Sequence, residues 1–157
     1  MAEVADTVVL RRAGEQAVAA GHAFLDHEAL ERACAADGLG HERVFAALRA
    51  LDTARLVDVR FVAPSRVTLL RLTDRGVRVA LDGTGHDLVD VRRRLVRALT
   101  DGEVDWRAGA TVDLRAALGV PALVSEVALE DLRKEGRVVF SRAIGGGVRI
   151  HRLSDGP

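Results

Sequence analysis

Residues 114–153 constrain the fold more than any other part of this sequence. Leu114 and Leu118 are four residues apart, and a glycine and a proline follow, which predicts a short helix that ends in a tight turn. Apolar residues then keep a helical spacing as far as Leu132. Runs rich in valine lie on both sides of three consecutive glycines, 145–147, and predict a β-hairpin. The stretch therefore predicts two helices joined by a turn and followed by a hairpin.

The first half of the chain repeats this order of elements. Three leucines correspond at offsets of 84, 81 and 81 residues, and the ends of the two hairpins correspond at 81. The three-residue difference falls between the two helices, where a change of length is easily absorbed. The corresponding positions are Leu30 and Leu114, Leu48 and Leu129, Leu51 and Leu132, and residues 71–73 and 152–154. A repeat that preserves both helix spacing and hairpin position indicates two related units.

The predicted first unit covers residues 1–82. Its first helix lies within residues 4–24 and ends at Gly21, with Gly14 as a candidate break. Asp26 caps the second helix. A third helix covers residues 41–54, with Ala47 on its outer face, and a strand follows it. The chain turns at Pro64-Ser65-Arg66, and a closing helix begins after Thr73.

Residues 83–87 are polar and contain glycine, which predicts a linker. The second unit covers residues 88–157. It begins with a helix over residues 88–100, and residues 103–106 are predicted to form a short strand with Trp106 in the core.

Composition predicts a soluble, cytoplasmic protein. The 157 residues have 48% hydrophobic content and a formal net charge of zero. No apolar run approaches the length of about 18 residues that a membrane helix needs, and the N-terminus lacks a signal-peptide pattern. The single cysteine excludes an internal disulfide. Because proteins that grip phosphates usually have a basic excess, charge neutrality argues against strong non-specific binding to nucleic acid.

The order of elements resembles the winged-helix form of the helix-turn-helix, over nearly the whole chain. Residues 71–76, Arg-Leu-Thr-Asp-Arg-Gly, are similar to the leucine-threonine-x-x-glycine ending after the wing in bacterial regulators of the MarR and PadR types. The resemblance implies an α+β, mostly helical fold with two tandem winged-helix domains. Those families carry one winged helix per chain plus dimerisation helices, whereas two are predicted here.

In those families the second helix of the motif enters the major groove of DNA and the wing contacts the backbone. Carried onto this chain, the reading helices are residues 41–54 and 121–135, and the wings turn at residues 64–66 and 145–147. The residues that this resemblance assigns to DNA are His41, Arg43 and Arg49 on the first helix, Arg60, Ser65 and Arg66 on the first hairpin, and Arg142 and Arg149 on the second. On the second helix, Ser125 and three carboxylates are predicted to face outward, and carboxylates repel phosphates.

Two functions follow from these features. The arginine-bearing hairpins and the ending at residues 71–76 favour a DNA-binding transcriptional regulator. Neutrality and the acidic second helix favour a tandem winged-helix module that binds a protein partner, as an adaptor or a subunit of a larger complex. Residues 4–20 are long and amphipathic enough to pair two copies as a homodimer.

The sequence predicts neither an enzyme nor a cofactor or metal site. It lacks nucleophile-elbow, phosphate-loop and dinucleotide fingerprints, and its five histidines lack metal-ligand spacing.

Overall fold

A computed structural model describes residues 2–63, 66–107, 109–144 and 147–154. The chain divides into two compact units, Met1–Gly85 and His86–Pro157, and the boundary lies inside the predicted linker. The described residues form helices and two small antiparallel hairpins, which confirms an α+β fold. In this part of the chain no helix is long and apolar enough to cross a membrane.

The first unit packs four helices and a hairpin around one aliphatic core. Its elements are α1 (Ala2–Ala20), α2 (His27–Ala36), α3 (His41–Thr53), β1 (Val57–Ala63), β2 (Arg66–Leu72) and α4 (Asp74–Asp82). Helical spacing aligns Val44, Leu48 and Leu51 on one face of α3, where all three are buried with Leu30 of α2 and Leu81 of α4. The side chain of Asp26 caps α2 by accepting from the Ala29 N–H at 2.9 Å.

The described residues of the second unit form three helices and a hairpin. Its elements are α5 (Leu88–Thr100), α6 (Leu114–Leu118), α7 (Ala122–Lys134), β3 (Val138–Arg142) and β4 (Val148–Leu153). Leu95 and Leu99 of α5 and Leu129 and Leu132 of α7 are almost completely buried. Gly119 has φ +63° and ends α6 in the left-handed conformation, as its position after Leu118 predicts.

Helices α3 and α7 share length, position and termination at an offset of 81 residues. Each has 13 residues. After α3, the Leu56 N–H donates to the Leu51 carbonyl, and the Arg137 N–H donates to the Leu132 carbonyl in the same way. Arg55 has φ +58°, a left-handed conformation that favours glycine, and Gly136 with φ +72° takes that position in the second unit.

The hairpins begin in the same register. Val57 pairs with Leu72 and Val138 pairs with Leu153, again 81 residues apart. Bulges then differ: the first hairpin is irregular on both sides of Phe61, and the second after Val139. The two hairpins therefore share their base and diverge toward their tips.

The three-residue difference between the repeats falls at the end of the first helix of each pair and in the following turn. Buried Cys34 and Leu118 still differ by 84 residues, whereas buried Leu39 and Val120 differ by 81. Helix α2 is also longer than α6, with 10 residues against 5.

Three sequence predictions were wrong. Residues 103–106 do not form a strand. Val112 takes the place beside β4, because its backbone exchanges two hydrogen bonds with that of Val148 and its side chain is buried. Ser125 is buried, and its hydroxyl donates to the Ala122 carbonyl at 2.8 Å. Ala47, predicted on the outer face of α3, is also buried. Small side chains such as alanine and serine contribute little to the apolar periodicity, so the sequence does not show which face of a helix they occupy.

Candidate nucleic-acid interface

The exposed face of α3 carries two arginines separated by small residues. Arg43, Ala46, Arg49 and Ala50 are exposed, while the apolar side of the helix is buried. Within the described residues, neither arginine forms an ion pair with a carboxylate. The alanines leave space beside the helix, so both guanidinium groups can reach a surface placed against it.

Arg49 also links α3 to the hairpin. Its guanidinium carbon lies 5.4 Å from the centroid of the Phe61 ring of β1, and that ring lies 5.7 Å from the ring of Phe45. A guanidinium that lies over an aromatic face keeps the N–H groups at its edge available to other acceptors. The stacking therefore orients the Arg49 side chain without using all of its donors.

His41, at the start of α3, is held by a carboxylate of α2. Its Nδ1 lies 2.5 Å from Oε1 of Glu31, and its ring centroid lies 4.6 Å from that of Phe45. The His41 side chain remains about half exposed, at 52%. His27 packs edge-on to Phe45 at 5.3 Å, and its Nε2 lies 3.8 Å from Glu31 Oε1. Glu31 therefore contacts the His41 ring at hydrogen-bond distance, whereas the buried Nε2 of His27 has no hydrogen-bond partner among the described residues.

On the first hairpin, Arg60 and Arg66 are both exposed. Ser65 lies outside the described residues. Arg71 is paired with Asp58 across the strands, with its Nε donating to Oδ2 at 2.6 Å. Arg66 also borders an open groove of about 770 Å³ between the start of α2 and β2. Within the described residues, Arg60 and Arg66 are therefore the arginines of this hairpin without a carboxylate partner.

The predicted site residues of the second unit are engaged by their own unit. Arg142 lies 3.8 Å from a carboxylate oxygen of Glu126 and 3.6 Å from one of Glu130. Arg133 also donates to Glu130, at 2.7 Å. Arg149 makes a long contact with the Thr111 hydroxyl, at 3.5 Å. Arg133 and Arg142 thus partly neutralise the acidic face of α7.

The dense arginine run of α5 is likewise tied into its unit. Arg92 donates to Glu135 at 2.5 Å, Arg93 lies 3.3 Å from Asp90, and Arg94 donates to the Leu118 carbonyl. The contacts of Arg92 and Arg94 join α5 to the ends of α7 and α6, and that of Arg93 lies within α5. The run therefore stabilises the unit instead of forming one basic surface.

Charge is balanced in each unit separately. The first unit has 11 arginines against 12 acidic residues, and the second has 12 basic residues against 11 acidic ones. A basic surface can therefore arise only by local segregation, as on the exposed face of α3.

Two titratable groups of the first unit have shifted pKa values. Hydrogen bonds from Arg12 lower the pKa of Asp37 below its usual range. Burial raises the pKa of the Cys34 thiol, which keeps it protonated and unreactive at neutral pH. Neither group lies on the exposed face of α3. In the described part of the chain, no group of three or more histidine, cysteine or acidic side chains could hold a metal ion.

The sequence did not predict the ring row of His41, Phe45 and Phe61 that orients Arg49. Its members come from α3 and β1, and the bulges around Phe61 disturb the alternation that would assign its face. Comparisons with known family models, curated proteins and solved structures found no match to this chain.

Proposed function

We propose that both units are winged helices and that the chain is a DNA-binding transcriptional regulator whose first unit reads double-stranded DNA. Helix α3 would enter the major groove, and the β1–β2 hairpin would contact the backbone. The observation that carries this proposal is the exposed face of α3, on which Arg43 and Arg49 lack carboxylate partners within the described residues. Arginine in this position can donate to the acceptor edge of guanine or to phosphate.

The hairpin supplies the second contact. Arg60 and Arg66 are exposed, and Arg49 stacks on Phe61 of the same hairpin. The stacking couples the reading helix to the wing, so both elements approach a duplex as one surface. This arrangement supports a division of labour in which α3 reads base edges and the hairpin fixes orientation through phosphates.

The second unit would contribute little to base reading. Its helix α7 presents Glu126 and Glu130, and Arg142 is occupied by both. A helix with this charge pattern gains less from a phosphate backbone than α3 does.

A second candidate function is a module that binds a protein partner through the second unit. It is favoured by apolar side chains exposed on and beside the second hairpin, where Ile144 is exposed and Val139 is 40% exposed. Exposed apolar residues next to a neutralised acidic helix suit a protein surface better than a duplex.

DNA binding is tested by titrating fluorescent random-sequence duplex DNA with the full chain across a salt series. The logarithm of the affinity should fall steeply with the logarithm of salt concentration, and Arg66→Ala should make the slope shallower by about one. Arg49→Ala should weaken binding about tenfold, and Arg49→Lys should restore only part of it because lysine lacks the planar fork.

Arg75→Ala is the matched control, since Arg75 is an exposed arginine on α4, outside the proposed contact elements. Its slope should equal that of the unmodified protein. Absence of binding at low salt would reject the regulator and leave the protein-binding module, which a partner pull-down then tests with Ile144→Asp as the variant.

A further inference from the structure

The second unit contains a groove of about 350 Å³ lined by basic and apolar side chains. Arg92 and Arg93 come from α5, and Arg137 precedes β3. Val89, Val96 and Leu132 supply the apolar part of the lining. The volume lies at the lower end of the range of small-molecule sites, so one small ligand fits.

Arg137, which lines the groove, has one donor without a partner among the described residues. Its Nε is shielded from solvent and has no hydrogen-bond partner among the described residues. The other two arginines are balanced: Arg92 donates to Glu135 at 2.5 Å, and Arg93 lies 3.3 Å from Asp90. An unpaired buried donor costs free energy, so Arg137 lacks one hydrogen-bond acceptor that a ligand could supply.

The fold does not require an arginine at this position. Leu56 occupies the corresponding place in the first unit, where its N–H and carbonyl make the same backbone hydrogen bonds as those of Arg137. An apolar side chain is therefore compatible with this backbone. The guanidinium of Arg137 adds a buried Nε–H donor that has no partner among the described residues.

We propose that this groove binds a small organic carboxylate with an apolar body. The carboxylate would accept hydrogen bonds from Arg137 and its neighbouring guanidinium groups, and a planar guanidinium matches a carboxylate in shape. The apolar body would cover Val89, which is 68% exposed, and Val96. The site lies within the second unit and is independent of DNA binding by the first.

Isothermal titration of the full chain with hexanoate tests the site, with hexanamide, acetate and inorganic phosphate as comparison ligands. Hexanoate should bind at one site. Each comparison ligand should bind at least about tenfold more weakly. Hexanamide lacks the negative charge, acetate lacks the apolar body, and phosphate lacks both the planar carboxylate and the apolar body.

Arg137→Leu installs the residue found in the first unit and should weaken hexanoate binding about tenfold or more while circular dichroism remains unchanged. Arg93→Gln provides a second variant with the same expectation. Arg97→Gln is the control, since this exposed arginine of α5 is not among the groove-lining residues, and it should bind as the unmodified protein does.

Equal binding of hexanoate to the unmodified protein and to both groove variants would overturn the proposal. So would equal binding of hexanamide or phosphate, or the absence of saturable binding at millimolar hexanoate. Loss of DNA binding by the first unit would leave this result unaffected.

Discussion

Thr73 and Gly76 make the contacts that hold the start of α4 against the residues after α3. The Thr73 hydroxyl accepts from the Gly76 N–H at 3.0 Å and donates to the Arg55 carbonyl at 2.8 Å. A Cβ at Gly76 would lie 1.7 Å from the Leu56 carbonyl oxygen. The motif at residues 71–76 therefore has a packing role in this chain: threonine caps the helix, and glycine lets it approach the backbone after α3.

We expect Gly76→Ala to lower the free energy of unfolding of the first unit by about 1–3 kcal/mol, since the clash is with backbone and α4 must shift. Urea unfolding followed by circular dichroism measures the change. Gly83→Ala is the control, because Gly83 is exposed at the end of α4 and a Cβ there comes no closer than 3.4 Å to other atoms. Equal stability of the two variants would refute the close-packing role of Gly76.

At the scale of elements, an ion-pair cluster ties α1 to the end of α2. The carboxylate of Asp37 accepts from Arg11 at 2.9 Å and from two nitrogens of Arg12 at 2.7 Å. Glu15 also binds both arginines. The two-pronged contact with Arg12 has the geometry that favours a guanidinium–carboxylate pair.

Asp37→Asn should lower the melting temperature at neutral pH, and the difference from the unmodified protein should vanish in acid. Because Arg12 lowers the pKa of Asp37, its stabilising effect is complete above the ordinary carboxyl pKa of about 3.9 and is lost as pH falls through the lowered value. Thermal melts at several pH values measure this. Asp82→Asn, at the exposed end of α4, is the control and should cause no loss, since a negative charge there opposes the helix dipole.

Helices α3 and α7 show how one backbone can carry two surfaces. They match in length and in the hydrogen bonds that end them, yet α3 exposes Arg43 and Arg49 while α7 presents Glu126 and Glu130. The two helices share their buried leucines but not their surface charges. The repeat therefore constrains the fold, and the binding partner of each helix can differ.

At the scale of the whole molecule, each unit has its own core. We expect the fragments 1–85 and 86–157 to fold separately, because the buried leucines of each are packed by elements of the same unit. Circular dichroism melts of the two fragments should each show a cooperative transition. A fragment with helical signal but no cooperative melt would show that its core depends on the other unit.

The order of the helices and the two hairpins, the caps at Asp26 and Thr73, the turn at Gly119 and the repeat at 81 residues could be predicted from the sequence. These features depend on apolar periodicity and on backbone preferences that act over a few residues, so they can be read locally. The leucines chosen for the repeat, from Leu30 to Leu132, are all buried for the same reason.

Which charged side chains find a partner could not be predicted from the sequence and depends on tertiary packing. Arg142 faces the carboxylates of α7, Arg49 stacks on Phe61, and Arg137 keeps an unpaired donor in its groove. Residues 103–106 were likewise predicted to form a strand, whereas Val112 makes the bridge to β4. Each outcome depends on a residue that is distant in sequence and is brought close by packing. The sequence around a charged side chain does not indicate which partner the fold places beside it.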